Sequence, residues 1–99
     1  MPTVSLEPEA YLDIQEAQDW YEDQDPGLGA RFESYVNAAL DWISGNIGLC
    51  REVRPGVHVH LVNVFPYLVY FRLVEGGARV FAVIHSARNP RIVWRRLAP

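Results

Sequence analysis

The chain has 99 residues, 49% of them hydrophobic and 12% aromatic, which excludes intrinsic disorder and leaves room for one domain spanning 1–99. Its single cysteine, Cys50, excludes an internal disulfide or a cysteine metal cluster, and no apolar run approaches the ~20 residues that cross a bilayer. The formal charge of -3 hides a division: residues 1–50 hold ten carboxylates against the single Arg31, whereas residues 51–99 hold eight arginines against two carboxylates.

Thr3 to Leu6 reads as an opening strand, and Pro8 fits the first turn of a helix, where a missing N–H costs nothing. Tyr11, Ile14, Ala17, Gln18 and Tyr21 then fall on one helical stripe, with Asp13, Glu16, Asp19 and Asp23 on the solvent side and Glu22 between. The helix is expected to end near Gln24, with Asp25 as N-cap and Pro26 as first residue of the next one. Leu28, Phe32, Tyr35, Val36, Ala39 and Ile43 continue that second helix, so an antiparallel helical hairpin is predicted. Trp20, Tyr21 and Phe32 are expected to seal it against a sheet. Trp42 sits one step off the apolar stripe and is expected to be partly exposed.

Gly45, Gly48 and Arg54-Pro55-Gly56 break the helical period, and β-branched and aromatic residues follow. Val57, Val59 and Leu61 alternate with His58, His60 and Val62, predicting a half-buried strand with both histidines on its second face. Phe65-Pro66 turns the chain, Tyr67 to Val74 makes the next strand, Gly76-Gly77 closes a hairpin and Arg79 to His85 returns. After Asn89-Pro90, Arg91 to Leu97 reads as a short basic tail around Trp94. Helices segregated from an antiparallel meander give an α+β, βααβββ domain with the hairpin on one sheet face. The other face, with some of His58, His60, Tyr70, Arg72 and the basic tail, is expected to stay partly open.

The chemistry in this sequence lies in its cations. All nine are arginine, whose planar guanidinium pairs bidentately with carboxylate or phosphate and stacks on aromatic rings. Arg88, Arg91, Arg95 and Arg96 cluster with Trp94, a density suited to an acidic partner or a phosphate backbone. His58, His60, His85, Tyr67, Tyr70, Arg72 and Arg88 are the residue types that RNA cleavage needs as base, acid and stabilising cation. The histidines have no metal-ligand spacing, no cofactor is implied, and Ser86 points away from the adjacent His85 on a strand.

Four stretches in order resemble the RelE/ParE toxin superfamily of type II toxin–antitoxin systems, which includes plasmid stabilisation proteins, across roughly residues 4 to 97. Ala17-Gln18-Asp19-Trp20-Tyr21-Glu22 and Pro26-Gly27-Leu28-Gly29-Ala30-Arg31-Phe32 resemble the hairpin of ParE-like members. Phe65-Pro66-Tyr67-Leu68-Val69-Tyr70-Phe71 is similar to their central strand, and Ala82-Val83-Ile84-His85-Ser86-Ala87-Arg88-Asn89-Pro90 to the last strand and its exit. The lone cysteine and the lack of a membrane-spanning run lead to the expectation of a cytoplasmic protein, and the resemblance implies the βααβββ fold, a cognate antitoxin that wraps the toxin, and growth inhibition by free toxin. RelE-type members cleave mRNA on the ribosome; ParE-type members inhibit DNA gyrase and carry no established cleavage site. Tyr67 falls where nuclease members tend to have a basic residue, and the chain after His85 lacks their basic and aromatic ending, which favours the ParE branch. The leading expectation is a gyrase inhibitor that meets nucleic acid only through its antitoxin or the ribosome. Arg88, Arg91, Trp94, Arg95, Arg96 and Trp42 are its candidate contacts with target or antitoxin. The alternatives are an mRNA endonuclease using His85, Arg72 and Arg88, or a non-toxic antitoxin-binding remnant.

Overall fold

A computed structural model describes residues 2–98. In chain order the elements are β1 (Thr3–Leu6), α1 (Pro8–Gln24), α2 (Leu28–Asn46), a 3-10 turn (Ile47–Leu49), β2 (Arg51–Arg54), β3 (Val57–Leu61), β4 (Tyr67–Val74), β5 (Gly77–His85) and α3 (Arg91–Leu97). The strands form one sheet in the order β1-β5-β4-β3-β2. After β1 the helical hairpin carries the chain across the sheet to its far edge. The antiparallel strands β2 to β5 then walk back until β5 lies parallel to β1. The α+β architecture and the central meander match the sequence reading. It missed β2, the seating of β1 beside the last strand, and the helical state of the basic tail.

The hairpin forms where the apolar period is 3.6 residues. Ala10, Ile14 and Ala17 on α1 and Phe32, Val36, Ala39 and Ile43 on α2 are all buried, facing Val69, Phe71, Val80 and Val83 of the sheet. Tyr21, Phe32, Phe65 and Tyr67 interlock at one end with ring centroids 4.9–6.1 Å apart. Tyr11 lies outside this stripe and is exposed, because Ala10 occupies the inward position. Trp20 is 56% exposed rather than sealed into the core, and it meets the Tyr21 ring in a T-shaped contact with centroids 5.1 Å apart.

The link between the helices also differs from the N-cap expected at Asp25. The Leu28 N–H donates to the Asp25 carbonyl at 3.0 Å, with Pro26 second and Gly27 third at φ +91°, the pattern of a type II turn. Asp25 is therefore spent on the turn. The α2 N-terminus is capped instead by Glu22, whose carboxylate accepts the N–H groups of Gly27 at 2.9 Å and Gly29 at 3.0 Å.

In β3 the period of two is right but the faces are reversed. Val57 and Val59 belong to the apolar cluster under α3, while His58 stacks on Phe71 and His60 on Trp42, on the hairpin side. Pairing decides this: His58 lies opposite Phe71 and Val59 opposite Tyr70, so each β3 residue takes the face of its partner. The expected open face is correspondingly occupied. Helix α3 lies across it, with Val93 fully buried against Val57, Tyr70, Phe81, Ala82 and Ile84.

Candidate functional site, an edge groove and an arginine face

Beyond Val80, β5 has no strand on its outer side, because β1 ends at Leu6 opposite that residue. A bulge follows: Tyr70 pairs with Ala82 but Phe71 pairs with Val80, leaving Phe81 as the extra residue. Side chains from both helical layers satisfy the edge so exposed. The Asp13 carboxylate accepts the Val83 N–H at 2.9 Å, and the Arg96 guanidinium donates to the Phe81 carbonyl at 3.1 Å. Arg96 also grips Asp13 in a fork at 2.6 and 2.9 Å and reaches Glu9 at 3.0 Å. Asp13 and Arg96 are 9% and 14% exposed, so this pair is sheltered, and the Asp13 hydrogen bond pushes the guanidinium's pKa further up.

A groove opens beside this lock, lined by Asp13, Glu16, Trp20, Tyr67, His85 and Arg88. Tyr67 and His85 face each other across β4 and β5 with ring centroids 5.3 Å apart. Burial raises the Tyr67 pKa, reinforced by Tyr21 and Asp13 and opposed by the positive charge of Arg88. His85 Nδ1 accepts the Ala87 N–H at 3.0 Å, which fixes the ring at the strand exit. His85 and Arg88 thus share one groove. Arg72 does not join them: it lies five residues along β4 from Tyr67, roughly 17 Å away at strand rise, and is bonded to Glu7, which also holds Arg79 at 3.2 Å. The trio expected for RNA cleavage is not assembled.

The remaining candidates divide by environment. Arg91 and Arg95 are exposed on the outer side of α3. Trp94 is half-buried, with Tyr70 in T-shaped contact and the Arg54 guanidinium 3.9 Å from its ring centroid. Trp42 is 39% exposed and stacks on His60 at 4.4 Å in a cleft with Tyr35, Ala38, Ala39 and Asn63. Beside the cleft, Val64 has φ +71° in a three-residue turn closed by the Phe65 N–H on the Asn63 carbonyl at 2.8 Å, an unusual conformation for a β-branched residue. Burial lowers the His60 pKa, so the ring in this cleft favours its neutral form.

Sequence reasoning missed Arg51, Arg54 and Trp20. Arg54 stood in a Pro-Gly breaker and carried no strand signal, and only the β2 pairing places it beside Trp94. Trp20 could have been found from its place on the charged side of α1, next to Asp19.

The sequence matches the model of the family described as ParE toxin of type II toxin-antitoxin system, parDE, over residues 4–90. The chain belongs to the ParE toxin family. No curated protein matches it. A solved structure titled "Chromosomal ParDE TA system from P. aeruginosa" superimposes with a TM-score of 0.76 and 13% identity, covering 86% of this chain and 96% of that one. At that identity the shared property is the fold: this ParE-family toxin has the same arrangement of hairpin and sheet. Among the described residues, no helix is long and apolar enough to cross a membrane.

Proposed function

We propose that this ParE-family toxin acts in the cytoplasm by binding DNA gyrase, without cleaving nucleic acid, and is silenced by a cognate antitoxin. Family membership supports a toxin, and the separation of Arg72 from His85 and Arg88 supports a non-catalytic one. Cleavage needs base, acid and cation within hydrogen-bond reach of one phosphate. Here the cation at Arg72 is bonded to Glu7 at the far end of the strand.

The antitoxin segment meets two surfaces in this reading. The Trp42 and His60 cleft accepts the apolar side of an amphipathic helix, while Arg88 in the edge groove faces acidic residues that bring the partner in and leaves the outer face of α3 free. Trp94 supports that face from beneath, and Arg96 anchors α3 to the body of the toxin. The structural relative's title names a ParDE pair, in keeping with such a partner.

A purified supercoiling assay tests the target. Added toxin is expected to abolish gyrase supercoiling at a modest molar excess, with activity restored by the cognate antitoxin. Unchanged supercoiling at a large excess removes gyrase from the reading. Cleavage of translated mRNA that stops on replacing His85 and Arg88 would install the endonuclease in its place, and normal colony growth on expressing the chain alone would leave an antitoxin-binding module.

A further inference from the structure

Arg31 on α2 and Arg88 in the edge groove lie apart from the other seven arginines, which fall into two populations. Arg72 and Arg79 share Glu7, and Arg96 is held by Asp13 and Glu9, so those three guanidinium groups are engaged within the fold. Arg51, Arg54, Arg91 and Arg95 form no ion pair among the described residues, and all four are exposed. Tertiary structure gathers these four. Arg51 lies opposite Val59 and Arg54 opposite Val57, and both valines pack under α3, so both arginines belong to the α3 side of the sheet. Arg54 is then stacked on Trp94 of α3, while Arg91 and Arg95 stand one turn apart opposite the buried Val93. The only carboxylate on β2 or α3 is Glu52, and it is turned away, accepting the Gly56 N–H at 3.1 Å and lying 3.9 Å from His58.

From this geometry we infer that the face built by Arg51, Arg54, Arg91 and Arg95 binds the phosphate backbone of duplex DNA. A protein partner is usually anchored by apolar side chains at the centre of its interface. None of the exposed large hydrophobic residues lies on β2 or α3, whereas a phosphate backbone requires cations alone. Single strands are held by aromatic faces on which bases stack, but the half-buried Trp94 is already covered by Arg54 and meets Tyr70 on its flank. Duplex RNA is distinguished through its 2′-hydroxyls, and neither element has a Ser, Thr, Asn or Gln side chain to engage them. The chain's overall charge of -3 means that attraction to DNA must come from this patch rather than from the molecule as a whole. The inference is independent of gyrase as target.

Fluorescence anisotropy of the full chain with a labelled mixed-sequence duplex of about 20 base pairs tests it. With about four phosphate contacts, binding should weaken about 100-fold between 50 and 200 mM salt. R91Q/R95Q and, separately, R51Q/R54Q should each reduce that loss to about 10-fold, since each arginine contributes about one unit of salt slope. R31Q, which removes an exposed arginine on α2, should leave it unchanged. The inference is overturned by absence of saturable binding at 50 mM salt, by a salt slope that neither double variant alters, or by an equal effect of R31Q. It is also overturned if a single strand or duplex RNA binds as tightly as the DNA, or if polyglutamate displaces the duplex at matched charge, which would assign the face to an acidic protein segment.

Discussion

The two faces of this sheet are covered in different ways, and the contrast separates what holds the toxin together from what it offers to others. On one face, two helices of 17 and 19 residues bury an aromatic and aliphatic core that includes Phe32, Ile43, Phe65 and Phe71. On the other, a single helix of 7 residues buries Val93, half-buries Trp94 and is fastened at its side by Arg96. Nonpolar area makes the first face the seat of stability. The second depends on one sheltered ion pair and leaves its outer arginines free, which suits it to surface recognition.

Replacing Phe32 by Ala should have the largest effect, because that ring is fully buried among Tyr21, Phe65 and Tyr67. A loss of about 4 kcal/mol is expected in urea unfolding. A loss below about 1 kcal/mol would break the comparison by moving stability away from the hairpin face. R96Q should come next, at about 3 kcal/mol, since it strips a fork from Asp13 and a donor from the Phe81 carbonyl. Amide exchange sharpens the point: α3 should lose protection while α1 and α2 retain it, and uniform loss throughout the domain would mean that the faces are one cooperative unit.

The smallest effect belongs to His60. Burial lowers its pKa below the ordinary 6.5, so the unfolded chain takes up a proton before the folded one does. The stabilising contribution of neutral His60 is present above about 6.5 and fades as pH falls through the folded value. Urea midpoints taken at pH 7.5 and 5.0 should fall less in H60Q than in the unsubstituted chain; identical pH dependence in the two would dismiss His60 as its source.

The helical hairpin was legible because α1 and α2 write their apolar residues at three- and four-residue intervals, and β3 to β5 because theirs change to two. Orientation was harder. A strand such as Val57–Leu61 shows which residues share a face, but either set can point toward the helices, and the choice came from pairing with β4. The arginines posed the same problem in electrostatic form. Arg96 and Arg95 are neighbours in the chain, yet one is locked on Asp13 from 83 residues away and the other is exposed. Of the residues expected for catalysis, His85 and Arg88 lie close together because they are three positions apart in the chain, whereas Arg72 was removed by Glu7, a partner 65 positions distant.

The sequence by itself determined the α+β architecture, the hairpin, the meander and the toxin family, because periodicity, turn chemistry and short family motifs are written in consecutive residues. Tertiary structure alone decided which sheet face each strand presents, that β1 closes beside β5, and that Arg51 and Arg54 join the arginines of α3. Those outcomes depend on pairings between residues far apart in the chain, and local spacing does not encode which distant partner a side chain will meet.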